Sequence, residues 1–211
     1  MAEALDTGRP NLVAADLHAR VRETAFALLM RSGRPVPAEE IGTIAGVPLS
    51  GITPMLDELA GAGWIDRDRE GRVTGSGGLS LTEGPHRLAI GGQAFRNWCA
   101  YDSLGIAAAL DADAVIETTC PVCGGPVRVA TVGGEPPTER PERLWLADGG
   151  TDLRADFCAP TVILCSPEHA DVWAGRQGGR GRVIDLAEGA SLGREAWAGC
   201  ARAVARVAGA A

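Results

Sequence analysis

The first eighty residues change their hydrophobic period once, from 3.6 to 2, and that order of elements leaves few folds open. In LHARVRETAFALLM, residues 17–30, Leu17, Val21, Ala25 and Leu28 recur at i, i+4, i+8 and i+11, with Arg20, Arg22 and Glu23 elsewhere, which predicts an amphipathic helix. A second helix fits PAEEIGTIAG, with Pro37 suited to its first turn and Gly46 to its exit. A third fits SGITPMLDELAGAG, with Ser50 as cap, Pro54 in the first turn, and Ile52, Met55, Leu56 and Leu59 as the buried stripe. WIDRDREGRVTG then reads as two short strands about a polar turn at Glu70 and Gly71.

Three helices followed by a hairpin make a winged-helix pattern, whose obvious use is reading DNA. The chemistry of this segment argues against that use. The third helix, in the recognition position, has no Arg but carries Asp57 and Glu58, whereas a groove-binding helix needs cations or amides toward phosphates and bases. Arg67, Arg69 and Arg72 in the hairpin alternate with Asp66, Asp68 and Glu70. The whole chain has 27 acidic and 20 basic side chains, a net charge of −7, so no nucleic-acid partner is expected and the segment reads as a scaffold.

From about residue 86 the texture becomes strand-like: HRLAI, DAVIETT, PVRVATV, RLWLA, TVILC and RVIDL. Helix candidates lie between them at 96–110, at 167–176 and at about 187–208, the last with Leu192, Trp197 and Val204 apolar. GGEPPTERPE, residues 133–142, reads as an exposed loop. The expected class is α+β, with a winged-helix-like domain at 1–83 followed by a mixed-sheet catalytic domain at 84–211.

The composition then narrows the chemistry. Every basic residue is Arg, so neither a Schiff-base lysine nor a phosphate-loop lysine is available. No apolar run approaches 18 residues and the start lacks a leader pattern, so the expected setting is cytoplasmic, without a membrane partner. Thiols stay reduced there, and six cysteines are better read as ligands, nucleophiles or buried side chains than as disulfides.

Cys99 and Asp102, in NWCAYDSLG, are three apart and share a face if the segment is helical. A carboxylate raises the pKa of a neighbouring thiol, so the pair suits passing a proton rather than presenting a free thiolate. A buried Cys with an unrelated surface Asp fits the same spacing. Cys120 and Cys123, in TCPVCGG, form half of a zinc knuckle whose other donors would have to come from Cys158, Cys165 or His169. They also fit two independent cysteines, while Gly124, Gly125 and Pro126 make the helix a redox pair requires awkward. Cys165 and Cys200 read as small buried hydrophobes. His18, His86 and His169 are scattered, with no spacing for hydrolytic zinc chemistry.

Taken together, NWCAYDSLG, TCPVCGGPVRV, ADFCAPTVILCSPEHADVW and the late LAEGASLGREA resemble the organomercurial (alkylmercury) lyases, and the three-helix segment resembles that family's N-terminal region. The resemblance implies that Cys99 and Cys158 are the mercury-binding thiols, Asp102 the proton-transfer residue and Cys120 a structural cysteine. It implies protonolysis of R–Hg(II) to R–H and Hg(II), a role in mercury resistance and detoxification, and no required cofactor. Free thiols and a mercuric reductase would take the Hg(II) bound between Cys99 and Cys158. Soft Hg(II) suits such thiolate ligands. Three features set this chain apart from the family pattern: Ala159 follows Cys158 where a second Cys is common, Cys123 is an extra thiol near Cys120, and Cys165 is another in the strand after Cys158. Those extra thiols favour the alternative, a soft-metal binding or sensing protein on the same scaffold, and leave open a zinc ion at Cys120 and Cys123.

Overall fold

The computed structural model describes residues 15–209. Three helices open it: α1 (Ala15–Ser32), α2 (Ala38–Ala45) and α3 (Leu49–Gly61). Val21, Ala25 and Leu28 are buried as their period predicts, whereas Leu17, one turn from the helix start, is 36% exposed because the core ends before it. Gly46 closes α2 in the left-handed region, and Pro37 sits just outside α2 as its N-cap. Ser50 is not the cap of α3. Pro48 takes that position, which places Pro54 inside the helix, on its exposed side, where the carbonyl of exposed Ser50, deprived of its i+4 donor, can bond water.

The hairpin follows as β1 (Ile65–Arg67) and β2 (Val73–Ser76), and Val36, between α1 and α2, bridges to Val73. The chain then turns tightly into β3 (Leu79–Ser80), which pairs with β5 (Gln93–Asn97) rather than ending the sheet. With β4 (His86–Ile90), β6 (Ala114–Thr119) and β7 (Pro126–Thr131) this makes one antiparallel seven-stranded sheet, ordered β1-β2-β3-β5-β4-β6-β7. The sheet is continuous through residue 83, so both halves of the chain contribute strands to it.

A second, three-stranded antiparallel sheet is built from β8 (Arg143–Ala147), β9 (Val162–Leu164) and β10 (Gly181–Ile184), ordered β10-β8-β9. Between the two sheets runs α4 (Ala100–Ala109), flanked by α6 (Leu186–Ala196) and α7 (Ala198–Gly209), while α5 (Pro167–Gln177) packs on the small sheet. Every residue of α4 from Ala100 to Ala108 is buried, which is why the segment shows no amphipathic stripe. The expected helix over 96–110 is thus shorter, because β5 takes residues 93–97. The expected single helix over 187–208 is two helices, broken at Trp197, whose ring turns into the core. At the α4–α6 crossing the backbones nearly touch: a Cβ on Gly193 would lie 2.2 Å from the Cα of Gly105.

Candidate functional site

Cys99 lies two residues beyond the end of β5, in extended conformation (φ −139°, ψ 168°), as the N-cap of α4. Asp102 is the third helical residue, and its carboxylate accepts the Cys99 N–H at 2.8 Å in a capping-box arrangement. The two side chains therefore meet because one caps the other, not because they share a helical face. The carboxylate satisfies a donor at the helix start and stays near the positive end of the helix dipole.

Cys158 ends a single π-helical turn, Leu153–Cys158, which Asp152 opens by accepting the N–H groups of Arg154 and Ala155. Buried Thr161 stitches this turn to α4: its carbonyl accepts from Ala100 N at 3.2 Å and its N–H donates to Cys158 O at 3.2 Å. The sulfur of Cys99, one carboxylate oxygen of Asp102 and the sulfur of Cys158 all lie within 4.8 Å of one another, and all three residues are buried.

The surroundings fix these three groups from several sides. The turn between β2 and β3 is Gly77–Gly78, both at positive φ (57° and 93°), and a Cβ on Gly78 would sit 2.4 Å from the Asp102 Cγ. Only glycine allows that hairpin tip to close over the carboxylate. Trp197 donates its indole N–H to Gly77 O at 2.6 Å and packs edge-on against Tyr101, which meets Phe157 edge-on in turn. On the other side the Arg154 guanidinium lies 3.2 Å over the Trp98 ring, and Asp66 of β1 receives both Arg154 Nη2 and Trp98 Nε1 at 2.8 Å. The residues flanking both cysteines are thus tied to the N-terminal half of the chain.

Burial first, then the neighbouring Cys158 thiol and the negative Asp102, push the Cys99 thiol well above its ordinary range, so Cys99 carries its proton at neutral pH. The arrangement offers one firmly protonated thiol, a carboxylate beside it and a second thiol opposite. It can accept a soft, thiophilic ion and move one proton between sulfur, carboxylate and a bound group.

Sequence reasoning passes over Asp66, Gly78, Arg154, Thr161 and Trp197. Of these only the Gly-Gly pair carries a local signal, that of a tight hairpin turn. The others reach the site from distant parts of the chain.

A second cluster stands apart. Cys120 and Cys123 lie in the turn between β6 and β7, and Cys165 and His169 lie after β9 and in the first turn of α5. Cys165 Sγ is 3.0 Å and Cys120 Sγ 3.5 Å from His169 Nδ1, and Cys123 Sγ is 3.7 Å from Cys165 Sγ. Cys165 is therefore not an inert buried hydrophobe, since it is half-exposed and faces three polar groups; Cys200 is buried in α7 as expected. No helix opens at Cys120–Cys123, so the redox-motif geometry is absent there. Burial opposes ionisation of Cys120, but the N–H groups of Cys165, Cys123 and Val122 outweigh it and bring its thiol down to about 6. Burial and the Cys120 and Cys123 thiols push Cys165 up to about 12. The other two histidines lie elsewhere, His18 bonded to Glu58 and His86 buried against Thr118.

Two thiols and a carboxylate meet at a helix start, buried between two sheets, the donor set a thiol-dependent site for a soft metal would need. The profile of the alkylmercury lyase family (MerB) matches residues 79–199, more than half of the chain. Alkylmercury lyases of Staphylococcus epidermidis and Streptomyces lividans are each 28% identical, over 170 and 172 residues, covering 79% of this chain and 76% and 77% of theirs. The crystal structure titled as the mercury-bound form of MerB2 superposes with a TM-score of 0.77 at 22% identity, covering 90% of this chain and 92% of that one, and so shares its fold. The chain belongs to the alkylmercury lyase family, a family of enzymes.

Proposed function

We propose that this chain cleaves the carbon–mercury bond of organomercurials by protonolysis, with Cys99 and Cys158 as mercury ligands and Asp102 as the proton carrier. The convergence of two sulfurs and a carboxylate within 4.8 Å in a buried site is the observation that carries this reading. R–Hg⁺ is captured by the Cys158 sulfur, with release of that thiol's proton to solvent. As mercury draws in the Cys99 sulfur, the proton Cys99 holds passes to Asp102. The second thiolate pushes electron density toward the Hg–C bond, and Asp102 delivers the proton to carbon as that bond breaks. R–Hg⁺ and two thiols thus give R–H, a dithiolate of Hg(II) and one H⁺, with no change of oxidation state.

A carboxylic acid of ordinary pKa is a poor acid at neutral pH, and here the adjacent thiol supplies its proton at the moment of metal capture. Low-molecular-weight thiols, or a dithiol partner such as a mercuric reductase, remove the Hg(II), which suits a reducing cytoplasm. The three N-terminal helices and their hairpin serve as a winged-helix-like scaffold that holds the site through Asp66, Gly77 and Gly78. The acids of its recognition-position helix support this, since Asp57 pairs with Arg67 and Glu58 with His18. No helix among the described residues is long and apolar enough to cross a membrane.

The test is benzene release from phenylmercury in excess thiol. The parent is expected to release benzene, and Cys99→Ser and Cys158→Ser to release none while folding normally. Parent-like release from either variant would overturn the two-thiol mechanism.

A further inference from the structure

The sulfurs of Cys120, Cys123 and Cys165 and Nδ1 of His169 converge with all four atoms within 4.8 Å of one another. Cys-x2-C in a tight turn and Cys-x3-His at a strand-to-helix junction bring three sulfurs and one nitrogen together from two sheets. We propose that these four side chains hold one structural zinc ion, at a site separate from the lyase site and sharing no ligand with it.

The distances favour that occupant. Tetrahedral zinc with bonds of about 2.3 Å to sulfur and about 2.05 Å to nitrogen requires S···S edges of about 3.8 Å and S···N edges of about 3.6 Å. The observed Cys123–Cys165 separation is 3.7 Å and Cys120–His169 is 3.5 Å, while Cys165–His169, at 3.0 Å, is somewhat shorter. A disulfide between Cys123 and Cys165 would need about 2.05 Å, and would leave the convergence of Cys120 and His169 unexplained. Hg(II), which takes two thiolates in near-linear array, has no use for a fourth, nitrogen donor in a tetrahedral arrangement.

The ligands are also held from behind, as structural sites require. Gly124 N bonds Cys120 O at 2.8 Å and Cys120 N bonds Gly125 O at 2.9 Å, which fixes the turn, and Gly125 N points at Cys123 Sγ at 3.4 Å. Ser166 caps α5 by accepting the His169 N–H at 3.3 Å. Cys123 is exposed, so an ion can enter from solvent.

The ion would clamp the β6–β7 turn of the large sheet to the end of β9 in the small one. Cys165, just past that end, is seven residues beyond Cys158, and α5 reaches back to the same loop through Trp173 Nε1, which donates to Pro160 O at 3.1 Å. Zinc would therefore steady the segment that presents Cys158 without touching the reacting atoms.

The experiment is metal analysis of the full chain purified under reducing conditions and incubated with equimolar zinc, beside Cys123→Ser, His169→Gln and the double variant Cys99→Ser/Cys158→Ser. One zinc per chain is expected in the parent and in the double variant, and less than a fifth of that in Cys123→Ser and His169→Gln. Cobalt(II) should give the intense visible bands of tetrahedral thiolate coordination in the parent and the double variant alone, and chelation should lower their Tm by about 5–10 °C. A parent that takes up no zinc, zinc lost with Cys99 and Cys158 instead, or a Cys123–Cys165 disulfide in the reduced preparation would overturn the proposal. None of these readouts depends on hydrocarbon release, so failure of the lyase reading would be seen separately.

Discussion

Cys99 keeps its proton because its burial and its two neighbours all disfavour a thiolate. The unfolded chain would release that proton above about pH 8.5, so the unfolded state binds fewer protons there and stability must fall as pH rises past that value. The alkaline loss of Tm is expected to be smaller in Cys99→Ala than in the parent, the difference isolating Cys99 from the other thiols. His86 runs the other way. Burial holds it down to about 4, so between there and about 6.5 the unfolded state binds the extra proton. Stability conferred by neutral His86 is complete above pH 6.5 and is lost as pH falls toward 4, by at most about 3 kcal/mol. Denaturant titrations at pH 7 and 4.5 should show that loss shrinking in His86→Gln, and an unchanged loss would contradict it. At this scale the spacing singles out Cys99 and Asp102 as a pair and only the family resemblance adds Cys158, and the structure brings the three side chains together. Sequence names Cys158, Cys165 and His169 as possible company for Cys120 and Cys123 but cannot choose among them, because the contacts that bring in Cys165 and His169 span up to 49 positions.

At the scale of elements, spacing brings Cys99 and Asp102 together for a reason other than the one it suggests. A helix over 96–110 would place them on one face, but β5 claims residues 93–97 through its pairing with β3 and β4, and Cys99 becomes the cap. Local pattern could not reveal this, because β5's partners lie outside any local window and all-round burial erases the period of α4. The Gly77–Gly78 hairpin tests the positioning of Asp102. Gly78→Ala adds a methyl 2.4 Å from the Asp102 Cγ at a backbone angle of +93°. It is expected to lower kcat about 100-fold at temperatures where circular dichroism shows it folded, with smaller change in KM. Asp66→Asn weakens the Arg154 ion pair without adding bulk, and a loss of less than about tenfold is expected, measured by the same benzene assay.

For the whole molecule, the class is legible and the join is not. Helical periods giving way to strand-like runs identify α+β correctly, whereas nothing local shows that β3 carries the sheet of the N-terminal half into β5. One apolar cluster extends from Val21 in α1 through α4 to Val207 in α7, and Trp197 and Arg154 fasten the C-terminal half to Gly77, Gly63 and Asp66. A chain so connected is expected to unfold in a single calorimetric transition, with van't Hoff and calorimetric enthalpies equal. Two resolved transitions would show that the halves fold separately.

In the proposed reaction Asp102 carries a proton to carbon after two thiols have taken the metal. That transfer is tested most directly by hydrocarbon release from the Asp102→Asn variant, beside the parent, with the bound species read by native mass spectrometry. The variant is expected to capture R–Hg⁺ and retain it intact, releasing hydrocarbon at least about 100-fold more slowly than the parent. Release at the parental rate would contradict it.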